Sequence, residues 1–513
     1  MTSTNYGLHR DAYLYIAQSE HLAWGFISVP PFTASITSFS VWLLGDSVFA
    51  LRVFPALAGV INIVLIGMIV REMGGKSVAT LLACGAYLLS PAFLRSNGLL
   101  QPVSFDQMFW VLATFFVVKL ISTRDPWYWL AIGLTAGVGM MNKYAIAFFF
   151  LGLFFALFST QDRKWFASRY LYIGLFIAAA VVLPNIYWQY RHNWPIVAHM
   201  RELRETQLIH VSYAGFLSGQ LWMNINVIFI WIAGLFFFFN MKQGKDFRIL
   251  GFIFLYTLLV LLLLSGKMYY TLGLYPMLFA GGGIAFEKWF QQRYKAVPYL
   301  VFVVMILLLL PGLPLSLPVY SHQKMVEYGK IVKDVGFAGA FTWEDGVVRD
   351  LPQDYADMTG WEEMVQKVAA LYHSFPEDVK KETLILGESY GQAGALNYFR
   401  KKYDLPEPVS FAESFVFWAP FTIDAIKQII VVDEVRRENS EYFRSVVVKD
   451  SVSNPYARDR GYVHLFSNPV DDLSLAWKKL SKSEKTEFSR KLKKAADRKS
   501  TRLNSSHGYI SYA

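Results

Sequence analysis

A few charged residues in this otherwise apolar chain sit where no soluble surface would require them. Asp11 opens an aromatic-rich segment running to Trp24 (DAYLYIAQSEHLAW), and Asp106 lies in QPVSFD at the start of an apolar block. Lys143 interrupts a second block, Gln189, Arg191 and His192 follow the end of a third, and Lys267 lies in GKMYY. A carboxylate or ammonium at membrane depth is costly, so it is read first as a functional group. Two carboxylates and several cations on one face suit one reaction class. A carboxylate takes a proton from an incoming hydroxyl while Lys or Arg stabilises a departing phosphate. A lipid-linked phosphosugar, with its tail in the bilayer and its head at the surface, is a substrate such a set could reach. Each residue also has a structural reading: Asp11 as an N-cap, Asp106 at the positive end of a helix dipole, Lys143 and Lys267 snorkelling to the interface, and His192 as a polar loop residue. Their shared side of the membrane is what favours chemistry.

The elements that must position these groups follow from composition. Of 513 residues, 54% are hydrophobic and only 17% charged, with a mean hydropathy of +0.32; a soluble chain would carry about 25% charged residues. The pattern therefore predicts a polytopic helical membrane protein. Apolar windows close to the roughly 20 residues that cross a bilayer fall at about 48–71, 77–95, 105–122, 167–188, 213–239, 249–265, 272–287 and 297–313. The block 127–158 is too long for one span and is interrupted at Gly137, Gly139, Asn142 and Lys143, so it reads as two short spans, 127–140 and 144–158. That gives about ten. Loops assigned to the inner side then hold thirteen Lys and Arg residues against six outside, which places the N-terminal segment and the C-terminal part externally. The same bias accounts for the net charge of +10 without nucleic acid. An external start implies that an earlier span is missing, and Asp497 to His507 (DRKSTRLNSSH) reads as a translated sequencing adapter, which makes 497–513 an artefact. The single cysteine, Cys84, excludes a disulfide framework and a multi-thiolate metal site.

Beyond the last span the chain reads as a small α/β domain: helices at Trp361 to Tyr372 and Gln392 to Lys402, and strands at Thr383 to Leu386 and Gln428 to Val432. Asp11 to Trp24 reads as a short helix at the outer interface, stopped by Pro30-Pro31. Gly387-Glu388-Ser389-Tyr390-Gly391 fits the G-x-S-x-G nucleophile elbow, with Asp433 and His464 following in hydrolase order. Too few residues precede it for that fold, so a structural strand-to-helix turn is the better reading. A transporter or flippase of the same lipid is the other alternative, because broken spans can line a pathway.

The motifs resemble bacterial glycosyltransferase family 39 and the lipid A modifying family 83. The matching segments are HRDAYLYIAQSEHLAWGFISVPP (9–31), SFDQMFW (104–110), GMMNKYAIAFF (139–149), LPNIYWQYRHNWP (183–195), GKMYYTLGLYP (266–276), LPQDYADMTGWEEMVQKVAALYHSFP (351–376) and GESYGQAGALNYFRKKYDLP (387–406). The resemblance implies a C-type glycosyltransferase fold: a transmembrane glycosyltransferase domain over 1–318, a periplasmic α/β domain over 319–496 and an artefactual tail over 497–513. It implies an enzyme of the bacterial inner membrane, its C-terminal domain in the periplasm, that moves a sugar from a polyprenyl-phosphate donor to a lipid, glycan or protein acceptor with inversion. Asp11 and Asp106 then fall on catalytic positions, and Lys143, His192, Lys267 and Tyr270 on substrate-binding ones. Relatives carry Asp-Glu where this chain has Asp11-Ala12, and an acidic residue before Gln-Pro-Pro where it has Ser28-Val29-Pro30-Pro31. A divalent metal is therefore an open question with no clear site.

Overall fold

The computed structural model describes residues 6–290, 294–420, 422–423, 426–470, 474 and 477–478. The adapter-like tail lies outside them. The chain divides into two units: one of residues 1–28, 189–203 and 320–513, the other of residues 29–188 and 204–319.

In the second unit the apolar blocks become helices because a backbone in lipid must satisfy its hydrogen bonds within its own segment. Each expected window holds one: Val48–Glu72, Ser77–Leu89, Pro102–Thr123, Tyr128–Asn142, Ile146–Phe158, Arg169–Arg191, Arg248–Leu263, Tyr275–Phe290 and Val297–Leu309. The window 213–239 is instead broken, into Tyr213–Met223 and a second helix Ile228–Asn240, with a 59° bend at Asn224. Asn224 and Asn226 turn inward there, Asn224 Oδ1 accepting from Ser90 Oγ and Asn226 donating to the Leu89 carbonyl. Five described helices are long and apolar enough to cross a membrane, or up to seven if each bent pair is one span. A further apolar helix, Phe32–Leu44, was not expected. Pro30-Pro31 reads as a stop, but the second proline is its N-cap.

Glycine sets how closely these helices approach, as is usual where lipid provides no hydrophobic drive between them. A Cβ on Gly234 would lie 2.0 Å from the Leu278 carbonyl oxygen, and one on Gly282 would lie 1.9 Å from that of Ile230. The side chains left outside are large and apolar, among them Leu57, Val64, Phe158, Phe176 and Leu300. Such a surface suits acyl chains rather than water. Buried Glu287 accepts the backbone N–H groups of Lys76, Val78 and Ala79, so a carboxylate satisfies the exposed donors at the start of Ser77–Leu89.

The first unit contains a four-stranded sheet in the order β1 (Thr383–Gly387), β2 (Gln428–Asp433), β4 (Tyr462–Pro469), β3 (Phe443–Asp450). The β1–β2 pair is parallel and the remaining pairs are antiparallel. The helix Trp361–His373 forms as expected, and a second, Tyr390–Phe399, follows β1. The segment expected at the outer interface is the helix Arg10–Glu20, and it corrects that expectation. Nine of its eleven residues are buried, from Arg10 to Ser19 apart from Asp11, and it packs against Tyr390–Phe399 through Leu14, Ala17 and Ala393.

Candidate functional site

Within the helical unit the structure gathers Asp106, Lys143, Lys267 and Tyr270. Pro102 occupies the first turn of its helix, where a missing N–H costs nothing, and Asp106 follows on the same helix. The Asp106 carboxylate is buried and accepts the Trp110 indole N–H at 3.0 Å. Lys143 follows the last residue of Tyr128–Asn142 in an extended conformation. The break is pinned there: Asn142 accepts from Thr33 Oγ1 (3.0 Å) and donates to the Pro102 carbonyl (2.9 Å), which ties the lysine's segment to the start of the aspartate's helix.

Lys267 caps a short 3-10 segment, Met268–Leu274, held by Gln220. Gln220 Oε1 accepts from Thr271 Oγ1 at 2.6 Å and from the Tyr275 hydroxyl at 2.9 Å. Lys267 Nζ itself donates to Gln207 Oε1. This arrangement brings the Tyr269 and Tyr270 rings to 5.2 and 4.9 Å from Lys143 Nζ. Aromatic faces replace part of an ammonium's hydration and leave its charge in place. Lys143 lies within electrostatic reach of both Asp106 and Lys267. Two ammonium groups and one carboxylate leave a net positive charge at the ends of apolar helices. That is an electrostatic match for a phosphate whose lipid is in the bilayer.

Asp11 and His192 belong to the other unit. Asp11 is not the N-cap: His9 is, and Asp11 sits in the first turn, where the helix dipole favours a carboxylate. Its side chain keeps 27% exposure and that of Asp354 22%, while His9 and Asp357 keep 5% and 2%, so Asp11 and Asp354 are the carboxylates of the group that an incoming hydroxyl can reach. Asp11 Oδ1 accepts from the Tyr390 hydroxyl at 2.8 Å and lies 3.9 Å from Arg10 Nε. His9 Nδ1 is 3.7 Å from Asp11 Oδ2, and His9 Nε2 is 3.8 and 3.5 Å from Asp354 and Asp357. Arg458 Nη1 donates to Asp357 Oδ1 at 2.9 Å.

Burial alone would pull the His9 pKa down, but Asp11, and then Asp354 and Asp357, push it up to about 10. Burial would raise Asp357, but His9, Arg10 and Arg458 hold it well below the usual carboxylate range. The Asp11 N–H also faces His9 Nδ1 at 3.1 Å, a cap that only a neutral imidazole accepts. Charge balance decides between the two. Three carboxylates (Asp11, Asp354, Asp357) face two guanidinium groups (Arg10, Arg458), and the imidazolium makes the set neutral. The ligand atoms of His9, Asp354 and Asp357 lie within 4.8 Å of one another, close enough for a cation. Arg458 already holds Asp357 Oδ1, so as it stands the set is an ion network, and a cation there would take His9 Nε2 with one oxygen each of Asp354 and Asp357 only with His9 deprotonated.

His192 packs edge-on against the Phe417 ring at 5.2 Å between centroids. The hydrolase alternative fails on geometry. Ser389 is the N-cap of Tyr390–Phe399 in a capping box with Gln392, His464 Nε2 accepts the Arg437 N–H at 2.9 Å, and Asp433 pairs with Arg437. Sequence reasoning assigned no role to His9, Arg10, Asp354, Asp357 or Tyr390, although all lie in the motif segments 9–31, 351–376 and 387–406. It missed Arg458, which no motif contains.

Comparison with known proteins places these observations. Residues 28–188 match the family described as dolichyl-phosphate-mannose-protein mannosyltransferase. The lipid A galacturonosyltransferase RgtD of Rhizobium johnstonii is 26% identical over 191 residues, 36% of this chain. The chain thus spans about 39% of the length of that curated relative. The crystal structure of ArnT from Cupriavidus metallidurans bound to undecaprenyl phosphate aligns with a TM-score of 0.58 at 14% identity, covering 91% of this chain and 95% of that one. Its apo structure aligns at 0.56 and 14%, covering 90% and 94%. The chain has the same fold, the C-type glycosyltransferase fold, as its motifs imply, and it is a multi-pass membrane protein with a small C-terminal sheet domain.

Proposed function

We propose that this chain is a glycosyltransferase of the bacterial inner membrane, moving a sugar from a polyprenyl-phosphate donor to a lipid, glycan or protein acceptor at the periplasmic face. The observation that carries the reading is the grouping of Lys143, Lys267, Tyr270 and Asp106 where a membrane-borne phosphate would arrive. Two relatives support it: RgtD acts on lipid A by name, and ArnT was crystallised with undecaprenyl phosphate. In this reading residues 1–318 carry the transferase chemistry and 319–496 the periplasmic part, with residues 1–28 and 189–203 folding in the same unit as the latter.

Asp11 removes the proton from the acceptor hydroxyl, whose oxygen attacks the anomeric carbon. The bond from that carbon to the phosphate oxygen breaks, the configuration inverts, and polyprenyl phosphate leaves carrying the electron pair. Lys143 and Lys267 stabilise the charge on that phosphate. Asp106 holds Lys143 through their mutual attraction, and His192 and Tyr270 orient the substrates.

The test is donor saturation with a radiolabelled polyprenyl-phosphate sugar in membranes carrying the chain. Removing one charge-assisted contact costs roughly 10-fold or more, so Lys267→Met should raise the donor KM by that factor and leave the acceptor KM close to wild type. Unchanged donor saturation would contradict the phosphate role. Translocation of the donor without sugar transfer would replace the reading with a flippase.

A further inference from the structure

The G-E-S-Y-G-Q-A-G run at 387–394 has no part in the chemistry proposed above, yet each of its glycines is fixed by a close approach. A Cβ on Gly387 would lie 2.6 Å from the Ala393 nitrogen, which lets β1 turn directly into the helix Tyr390–Phe399. Ser389 and Gln392 then form their capping box and fix the first turn, so the direction of the Tyr390 side chain is set by backbone hydrogen bonds. Within that turn a Cβ on Gly391 would lie 2.6 Å from Arg10 Cγ and 2.8 Å from Trp361, and about one turn further one on Gly394 would lie 2.8 Å from Tyr13 Cβ. Only glycine at both positions lets this helix lie on Arg10–Glu20. The far end is tied as well: Asn397 Nδ2 donates to Glu20 Oε2 at 2.9 Å, and Arg400 lies 3.5 Å from the same oxygen.

The near end of the helix pair delivers one group to Asp11. The Arg10 guanidinium lies 5.0 Å above the Tyr390 ring, and the Tyr390 hydroxyl donates to Asp11 Oδ1 at 2.8 Å. We propose that Tyr390 is a positioning residue for the transfer reaction: it holds Oδ1 of the Asp11 carboxylate and so fixes the orientation in which that carboxylate takes the acceptor's proton. The inference rests on the reading of Asp11 as the base. Burial keeps the Tyr390 phenol protonated far above neutral pH, so it donates to Asp11 throughout the working range and keeps its own proton during the step. The motif that resembles a nucleophile elbow is thus the mount for a hydrogen-bond donor, and its serine serves only to cap the helix.

Tyr390→Phe removes one oxygen and keeps the ring under Arg10. A hydrogen bond to a charged group is worth roughly 10- to 100-fold, so kcat should fall by about that factor with the donor KM little changed. Loss of a donor to the ionised carboxylate should also move the acidic limb of the kcat/KM profile to higher pH, an effect that mere structural loosening would not produce. Replacing Tyr390 with 3-fluorotyrosine, a stronger donor of nearly the same shape, should move that limb the opposite way. In an Asp11→Asn background Tyr390→Phe should have no further effect. Wild-type kcat and pH profile in Tyr390→Phe, with Asp11→Asn inactive, would overturn this proposal and leave Asp11 as the base. Full activity in Asp11→Asn would remove the base and this proposal together.

Discussion

His9 shows how much of this protein's behaviour is set by single side chains. It is buried among Asp11, Asp354 and Asp357, and it is pushed up to about 10 while Asp357 is held below the carboxylate range. A histidine raised above its unfolded value of about 6.5 contributes stability that is complete below that pH and is lost as pH climbs toward 10. An aspartate lowered below about 3.9 contributes stability that is present above that pH and is lost as pH falls toward its folded value. Melting temperature in detergent should therefore form a plateau between about pH 4 and 6.5 and decline steadily on the alkaline side up to about 10. His9→Gln should lower the plateau and flatten the alkaline decline. An unchanged alkaline limb in His9→Gln would show that another group governs it.

At the scale of elements, packing rests on glycines that lack a substitute. Gly394→Ala forces a methyl to 2.8 Å from Tyr13 Cβ. Overpacking of this kind costs about 1–3 kcal/mol, so the melting temperature should fall by several degrees, with a smaller loss for Gly339→Ala, where the added Cβ meets nothing and the backbone is not left-handed. Equal losses at the two positions would contradict the close-approach argument.

The apolar helices were legible because a helix in lipid needs an apolar block, and each window contains a helix. Of the about ten spans expected, however, only five described helices, or up to seven with each bent pair as one, are long and apolar enough to cross a membrane. Two features escaped that rule. Phe32–Leu44 has only thirteen residues and falls below the span length, and the break at Asn224 depends on partners at Leu89 and Ser90 that no local pattern reveals. Strands β3 and β4 were missed because charged and polar residues interrupt them, as in FRSVVVKD and YVHLFSNP. The candidate residues were legible as types, Asp11 and Lys143 among them. Their partners were not, because the Tyr390–Asp11 bond joins positions 379 residues apart and depends on the tertiary fold.

At the scale of the whole molecule, one unit is assembled from three separate stretches of chain, so its parts should not fold independently. Residues 320–478 expressed alone would expose the face of Tyr390–Phe399 that Leu14 and Ala17 cover. That fragment should be sensitive to protease and should regain resistance when residues 6–28 are supplied in the same chain. Equal resistance without them would show that the N-terminal helix is dispensable to the unit. The central claim is sugar transfer from a polyprenyl phosphate with Asp11 as base, and one assay tests it directly. Membranes carrying the chain would be supplied with radiolabelled polyprenyl-phosphate sugars and scored for label on lipid, glycan or protein, with Asp11→Asn alongside. General base catalysis contributes about 10²- to 10⁴-fold, so wild-type membranes should transfer label and Asp11→Asn should lose at least about 100-fold. Equal transfer by both, or none by wild type, would contradict the account.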